Sequence, residues 1–332
     1  MDRTLTIGAH SGGLARAQSE HVARLVRDAH GKIGVHLELV TPPDSARDAH
    51  DDHIAENRTA IATLHTLLRD GDVDLVIHRG FDLRDQLAED LVLAAVPPRD
   101  SPFDALLTTS EQSLDELASG ARVGVVQLRA RAQLIEHRPD LRFELIEGDI
   151  GSWLTALIDE EIDALVGPNA AFERLGLQER VTELFPPEML VPSPCSGILV
   201  CVCRAEDVQT RTRLAKIHHP ASASEYEAEV AFLRGLGGHW DAPVGALAQC
   251  FRNDLLILGL VASPDGDQVL RRGIQARLEN AADIGEALAD LMREEGAGEL
   301  LGIAAPTDTG AALVGLLTEL VDYEELDPED GG

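Results

Sequence analysis

Over its first two hundred residues the chain alternates short apolar runs with segments of helical spacing, and that alternation restricts the fold more than any other feature. "TLTIGA" precedes "LARAQSEHVARLVRDA", in which Leu14, Val22, Leu25 and Val26 recur at helical intervals. "GVHLELV" alternates as a strand. "AIATLHTLLRDG" reads as a helix closed by Gly71, and "VDLVIH" as the next buried strand. "LVLAAV", "ARVGVV", "RFELIEG" and "DALVGP" follow as further strands, with "LRARAQLIEHR" and "SWLTALIDE" as helices between them. Such β-α-β succession predicts α/β domains with largely parallel or mixed sheets. The proline-rich connection "FPPEMLVPSP" then leads to a lone strand, "GILVCVCR", which implies that the chain crosses back to an earlier sheet. Beyond about residue 215 the pattern changes. A helix precedes "PVGALAQCF", "DLLILGLVAS" and "QVLRRGIQA", and another helix follows, which predicts a small α+β domain.

A chain of 332 residues is too long for one ordinary core, so two or three domains are expected. The 58 acidic against 28 basic residues give a formal charge of -30, spread along the whole chain. Nucleic acid and anionic membranes are excluded as partners by that sign. Lys32 and Lys216 are the only lysines and aromatics make up 3%, a balance that fits a protein working in molar salt, where self-repulsion is screened. No leader of charged then apolar residues opens the chain and no run approaches ~20 apolar residues, so a cytoplasmic halophile protein is expected. Cys195, Cys201, Cys203 and Cys250 are too few for a disulfide framework and read as core thiols rather than a metal site.

The phrases "LTIGA", "DLVIH", "LVLAAVPPRDSPFDALL", "LDELASGARVG", "AQLIEHRPDL", "ERLGLQERVTE", "AEVAFLRGLGG", "APVGALA" and "LGLVASPDG" occur in order from residue 4 to about residue 302. In these the chain resembles the porphobilinogen deaminase (hydroxymethylbilane synthase) family of tetrapyrrole (haem) biosynthesis. The resemblance implies a three-domain α/β fold: two periplasmic-binding-protein-like domains, 1–97 with 198–215 and 98–197, a C-terminal α+β domain, 216–325, and an acidic tail, 326–332. It also implies a transferase that joins four porphobilinogens, with loss of ammonia, onto a dipyrromethane cofactor held by a cysteine thioether.

Set against the family's motifs, the scaffold persists while the site residues change. The family's Gly-Gly-Gly-Cys-Gln-Val-Pro-Ile-Gly-like turn reads "GGHWDAPVG", and alignment on Gly237, Gly238, Pro243 and Gly245 puts Trp240 at the cofactor cysteine. Indole forms no thioether, so no covalent cofactor is expected. Six pyrroles bring about a dozen carboxylates into the family's cleft, and each demands a cationic partner once buried. His10 stands at one family arginine and Gly12 at the nearby serine. The family's His-Ser-x-Lys-Asp reads "HRGFD": His78 and Asp82 match, Arg79 replaces the serine and Phe81 the lysine. Gly-Thr-Ser-Ser-x-Arg-Arg reads "GVVQLRA", keeping Arg129 and losing the second arginine to Ala130, with Arg131 turned ~100° away along a helix. In "EGDIGSW", Glu147 and Trp153 replace two arginines, and Ala62 replaces a lysine. Arg174 is retained, with Gly197 and Arg204 as weaker matches.

Asp82 is the residue the resemblance assigns to catalysis, pairing with the pyrrole NH groups and the cationic azafulvene; a cap after the strand is its alternative reading. Arg129, Arg174, His10, His78, Phe81 and Trp153 are the expected ligand-binding set, with a small molecule in the cleft between the first two domains. The expectation is a diverged paralogue without polymerising activity, a pseudoenzyme. A second reading is a binding or regulatory module, its cleft made apolar by Trp240, Trp153, Phe81 and Phe103, closing on a less anionic ligand. A third is a structural partner of an authentic deaminase or a neighbouring tetrapyrrole-pathway enzyme; a monomer is expected. "DAHDDH", with His50 and His53, reads as a solvated acidic loop rather than a metal site, and His218 and His219 before Pro220 read as structure.

Overall fold

The computed structural model describes residues 4–31, 33–40, 52–83, 87–237, 242–263, 265–302 and 319–321. In chain order the first stretch forms β1 (Leu5–His10), α1 (Gly13–His30), β2 (Val35–Val40), α2 (Asp52–Asp70), β3 (Leu75–Arg79) and β4 (Leu91–Ala95). The second forms β5 (Asp104–Thr108), β6 (Arg122–Val125), α3 (Leu128–His137), β7 (Arg142–Leu145), α4 (Ile150–Ile158), β8 (Ala164–Pro168), α5 (Asn169–Arg174) and β9 (Val181–Leu184). Then come β10 (Leu199–Arg204), α6 (Val208–Leu214), α7 (Pro220–Gly235), β11 (Val244–Phe251), β12 (Asp254–Ala262), β13 (Val269–Arg277), α8 (Ala281–Glu294), α9 (Ala297–Leu300) and β14 (Glu319–Val321).

The chain divides into two compact units, residues 1–99 with 198–223, and residues 100–197 with 224–332. In the first unit the sheet order is β2-β1-β3-β10-β4. β1 pairs in parallel with β2 and β3, whereas β10 runs antiparallel to both β3 and β4. The strand "GILVCVCR" therefore does return to the earlier sheet, into its interior. Cys201 and Cys203 are fully buried there, packed with Leu5, Ile7, Val22, Val26 and Leu75. An uninterrupted apolar run suits a strand buried on both faces.

The second unit holds two sheets. One, ordered β7-β6-β8-β5-β9, repeats the plan of the first: β6 is parallel to β7 and β8, and β5 runs antiparallel to β8 and β9. Its two faces bury separate clusters, one around Leu106, Val123, Leu134, Val166 and Phe185, the other around Leu107, Leu157, Leu165 and Phe172. The other sheet is antiparallel throughout, β11-β12-β13-β14. A Cβ on Gly259 of β12 would meet Phe232 of α7 and Leu288 and Met292 of α8 within 3 Å, which marks how closely these helices pack on it.

Two glycines are fixed by geometry. Gly197 has φ +78°, and a Cβ there would lie 2.4 Å from the carbonyl oxygen of Asp100. Gly245, the second residue of β11, has its backbone against residues 191–192, where a Cβ would come within 3.0 Å of Val191. Among the described residues no helix is long and apolar enough to cross a membrane.

Candidate functional site

In open α/β sheets, ligands bind outside the carboxyl ends of the strands, where the strand order changes direction. In the first sheet that point lies between β1 and β3. Their parallel register brings His10, the last residue of β1, and the last residues of β3 to one edge. α1 starts at the same edge, and its N-cap, Gly12, supplies no side-chain cap.

The His10 Nδ1 accepts a hydrogen bond from the Gly12 amide at 3.0 Å, so the neutral ring carries its proton on Nε2. His78 is buried, and its Nε2 lies 3.2 Å from Nε2 of His65 on α2, the rings meeting edge to face. Burial, and then the neighbouring His65, push the His78 pKa down to about 3. Burial lowers His65 as well, so a neutral pair shares a single N–H···N bond.

Arg79 ends β3, and a 3-10 turn over Gly80–Leu83 carries Phe81 and Asp82 immediately after it. The turn brings the Asp82 carboxylate onto the guanidinium in a two-bond fork, Nε–Oδ2 2.8 Å and Nη2–Oδ1 2.8 Å. The Asp82 side chain is 7% exposed and that of Arg79 is 48% exposed. The Asp82 charge raises the Arg79 pKa further. Phe81 is half-buried.

In the second unit, Arg129 lies in the first turn of α3, at the carboxyl end of β6, and its guanidinium is buried and met by protein on every side. Nη2 donates to Asp104 Oδ2 at 2.8 Å and to Gln127 Oε1 at 3.0 Å. Nε donates to Ser193 Oγ at 3.2 Å, and Nη1 to the Val191 carbonyl. The arginine thus ties the start of β5 to the segment that leads out of the sheet. Arg174, at the end of α5, donates from Nε to Asp100 at 2.8 Å and from Nη2 to the Gly197 carbonyl at 3.0 Å. Asp100 in turn donates its amide to that same carbonyl. The two segments through which the chain enters and leaves the second sheet are fastened to each other there.

Trp153 lies on α4, whose N-terminus is capped by Asp149 through the Ser152 amide. Its ring packs against the cluster of Ala105, Leu107, Leu157, Leu165 and Phe172, and its buried Nε1 finds no acceptor among the described residues. Phe103 packs against Leu247, Leu256 and Leu258. Two of the aromatics expected to line a ligand cleft therefore serve cores of the second unit. Glu147 is exposed. Trp240 and His50 lie outside the described residues, and His53, expected in a loop, falls within α2.

Arg204 bonds the carbonyls of Leu68 and Val73 and pairs with Asp207 at 3.1 Å, fastening the end of α2 to β10. His218 accepts from the Val96 amide, and His219 caps α7 through Ser222. All four thiols are unoxidised. Burial pushes those of Cys203 and Cys250 up to about 11. Among the described residues no group of three or more His, Cys, Asp or Glu is placed to hold a metal ion.

His65 was missed in the sequence, although it shares the inward stripe of Ile61, Leu64 and Leu68. Asp104 was missed too; an acid opening the buried run "DALLT" is the trace it leaves.

Comparison with known proteins places two family models on the chain. "Porphobilinogen deaminase, dipyromethane cofactor binding domain" matches residues 5–212, and "Porphobilinogen deaminase, C-terminal domain" matches residues 223–294. The porphobilinogen deaminase of Roseiflexus castenholzii is 35% identical over 303 residues, 91% of this chain and 99% of the relative. That of Shouchella clausii is 32% identical over 306 residues, 90% and 96% of the two chains. Among solved structures, the methionine binding protein MetQ matches 68% of this chain and 94% of its own at 16% identity, with a TM-score of 0.40.

Proposed function

This chain belongs to the porphobilinogen deaminase family of tetrapyrrole biosynthesis, and from that we propose that it is a diverged paralogue that carries no covalent dipyrromethane and does not polymerise porphobilinogen. The observation that carries the reading is the fork between Arg79 and Asp82. The family's mechanism needs an aspartate whose charge is offered to pyrrole NH groups and to a cationic intermediate. Here a guanidinium, standing where the family has serine, already holds both carboxylate oxygens.

The described residues also fit the dipyrromethane poorly. Cys195, Cys201 and Cys203 are buried, and the half-buried Cys250 lies within β11 with its thiol raised to about 11. Thioether chemistry needs a thiolate within reach. Arg129 and Arg174, the arginines retained from the family's set, spend their donors on protein acceptors. A growing polypyrrole would find few partners for its carboxylates. The acid-rich, lysine-poor composition supports work in a halophile's cytoplasm, and a monomer that binds a small molecule or a partner enzyme of the pathway belongs to the same proposal.

The test is purified, folded protein in molar KCl, incubated with porphobilinogen, with uroporphyrin read after acid oxidation and intact mass read for a dipyrromethane adduct. No product and no adduct are expected. Turnover, or a mass gain of two pyrrole units, overturns the reading.

A further inference from the structure

We infer that Arg79 is an anion clamp of this chain's own, oriented by Asp82 to bind a ligand carboxylate at the carboxyl edge of the first sheet. The functional reading above supplies only the choice of ligand, a pyrrole carboxylate; the clamp itself rests on geometry. A guanidinium has five N–H donors in a planar fork. Asp82 takes the Nε–Nη2 edge, with both bonds at 2.8 Å. Among the described residues no acceptor meets Nη1. That side chain is 48% exposed, so its remaining edge is open to a ligand while Asp82, 7% exposed, anchors it from below.

The placement supports this. Arg79 is the last residue of β3, at the point where the strand order turns between β1 and β3. His10 ends β1 at the same edge and has an Nε2–H to donate, because its Nδ1 is held by the Gly12 amide. His78, one residue earlier, is buried with His65 and stays neutral, so it adds no second cation beside Arg79. The edge therefore offers one fixed cation and one neutral donor. That suits a ligand with one or two carboxylates, such as a single pyrrole bearing acetate and propionate, rather than a chain of six.

The experiment is calorimetric titration of porphobilinogen into the full chain and three variants, in the salt where each is shown to be folded. Arg79→Ser should weaken binding by about tenfold or more, the scale of a lost charge-assisted contact. Arg79→Lys should retain part of the affinity, a point charge without the fork. The double variant Arg79→Ser with Asp82→Asn leaves no buried carboxylate unpaired, and it should bind as weakly as the single one. Unchanged or tighter binding in both Arg79→Ser variants overturns the clamp, as does the absence of any binding to the wild-type chain. Turnover in the same samples would instead sink the functional reading and leave the clamp standing.

Discussion

Arg129 and Asp104 form an ion pair 2.8 Å long in which the two side chains are 2% and 4% exposed, more buried than any other ion pair among the described residues. Neither charge has water to fall back on, so removing one partner strands the other. Arg129→Met or Asp104→Asn should each cost about 3–5 kcal/mol of stability, measured by denaturant unfolding. The double replacement by apolar residues should recover much of that loss. An arginine whose only task was to bind a ligand would leave unfolding unchanged.

At the Asp100 clasp, the expectation concerns backbone rather than charge. Gly197→Ala forces a side chain into φ +78° and against a carbonyl oxygen 2.4 Å away. Left-handed strain and overpacking together should cost about 2–4 kcal/mol. Equilibrium unfolding checks it, with Gly176→Ala as a comparison, since that glycine also has positive φ but nothing within 4 Å of its Cβ.

The buried His78 makes stability depend on pH. Its native pKa of about 3 lies below the unfolded value of 6.5, so below pH 6.5 the unfolded chain binds the extra proton. Stability should therefore fall as pH drops from 6.5 to 5, by up to about 1.4 kcal/mol per unit for this one group. His65, lowered by the same burial, adds to the slope. Below pH 5 the chain's many carboxylates begin to lose their mutual repulsion and act in the opposite sense. Urea unfolding at pH 7, 6 and 5 should show a flatter slope for His78→Gln.

Salt should act on the whole chain. With a formal charge of -30, the folded state carries strong self-repulsion that contracts to a range of about 3 Å at 1 M salt. The thermal midpoint should rise steadily between 0.1 and 2 M KCl. A flat profile would contradict the composition-based expectation of life in molar salt.

Much of the fold was legible in the sequence because apolar strands and helical stripes carry their period locally. The return of "GILVCVCR" to the first sheet followed from a proline-rich link and an isolated buried run. β5 and β9 were not read as strands: "DALLT" is short and opens with an acid, and "VTEL" is only half-buried. At the site, the motif comparison noticed that Arg79 stands at a serine, yet its meaning depends on a turn that folds Asp82 back onto it. Arg129 and Trp153 were read as facing a ligand. Arg129 is buried against Asp104 and Ser193, and the half-buried Trp153 packs beside the cluster that holds Leu165; these residues are far from Arg129 or Trp153 in sequence or on other elements, and no local pattern reports such contacts.

The position of β10 has a consequence for synthesis on the ribosome. This strand sits between β3 and β4, yet its residues are made only after the whole second sheet has been translated. At about 5–20 residues per second, the nascent first sheet waits several seconds with the hydrogen-bonding edges of β3 and β4 unmatched. The first unit is therefore finished only after the strands of its successor's first sheet, β5 to β9, have been made. A ribosome stalled between residues 100 and 198 would leave a chain that exposes two open strand edges, a ready template for pairing with another copy.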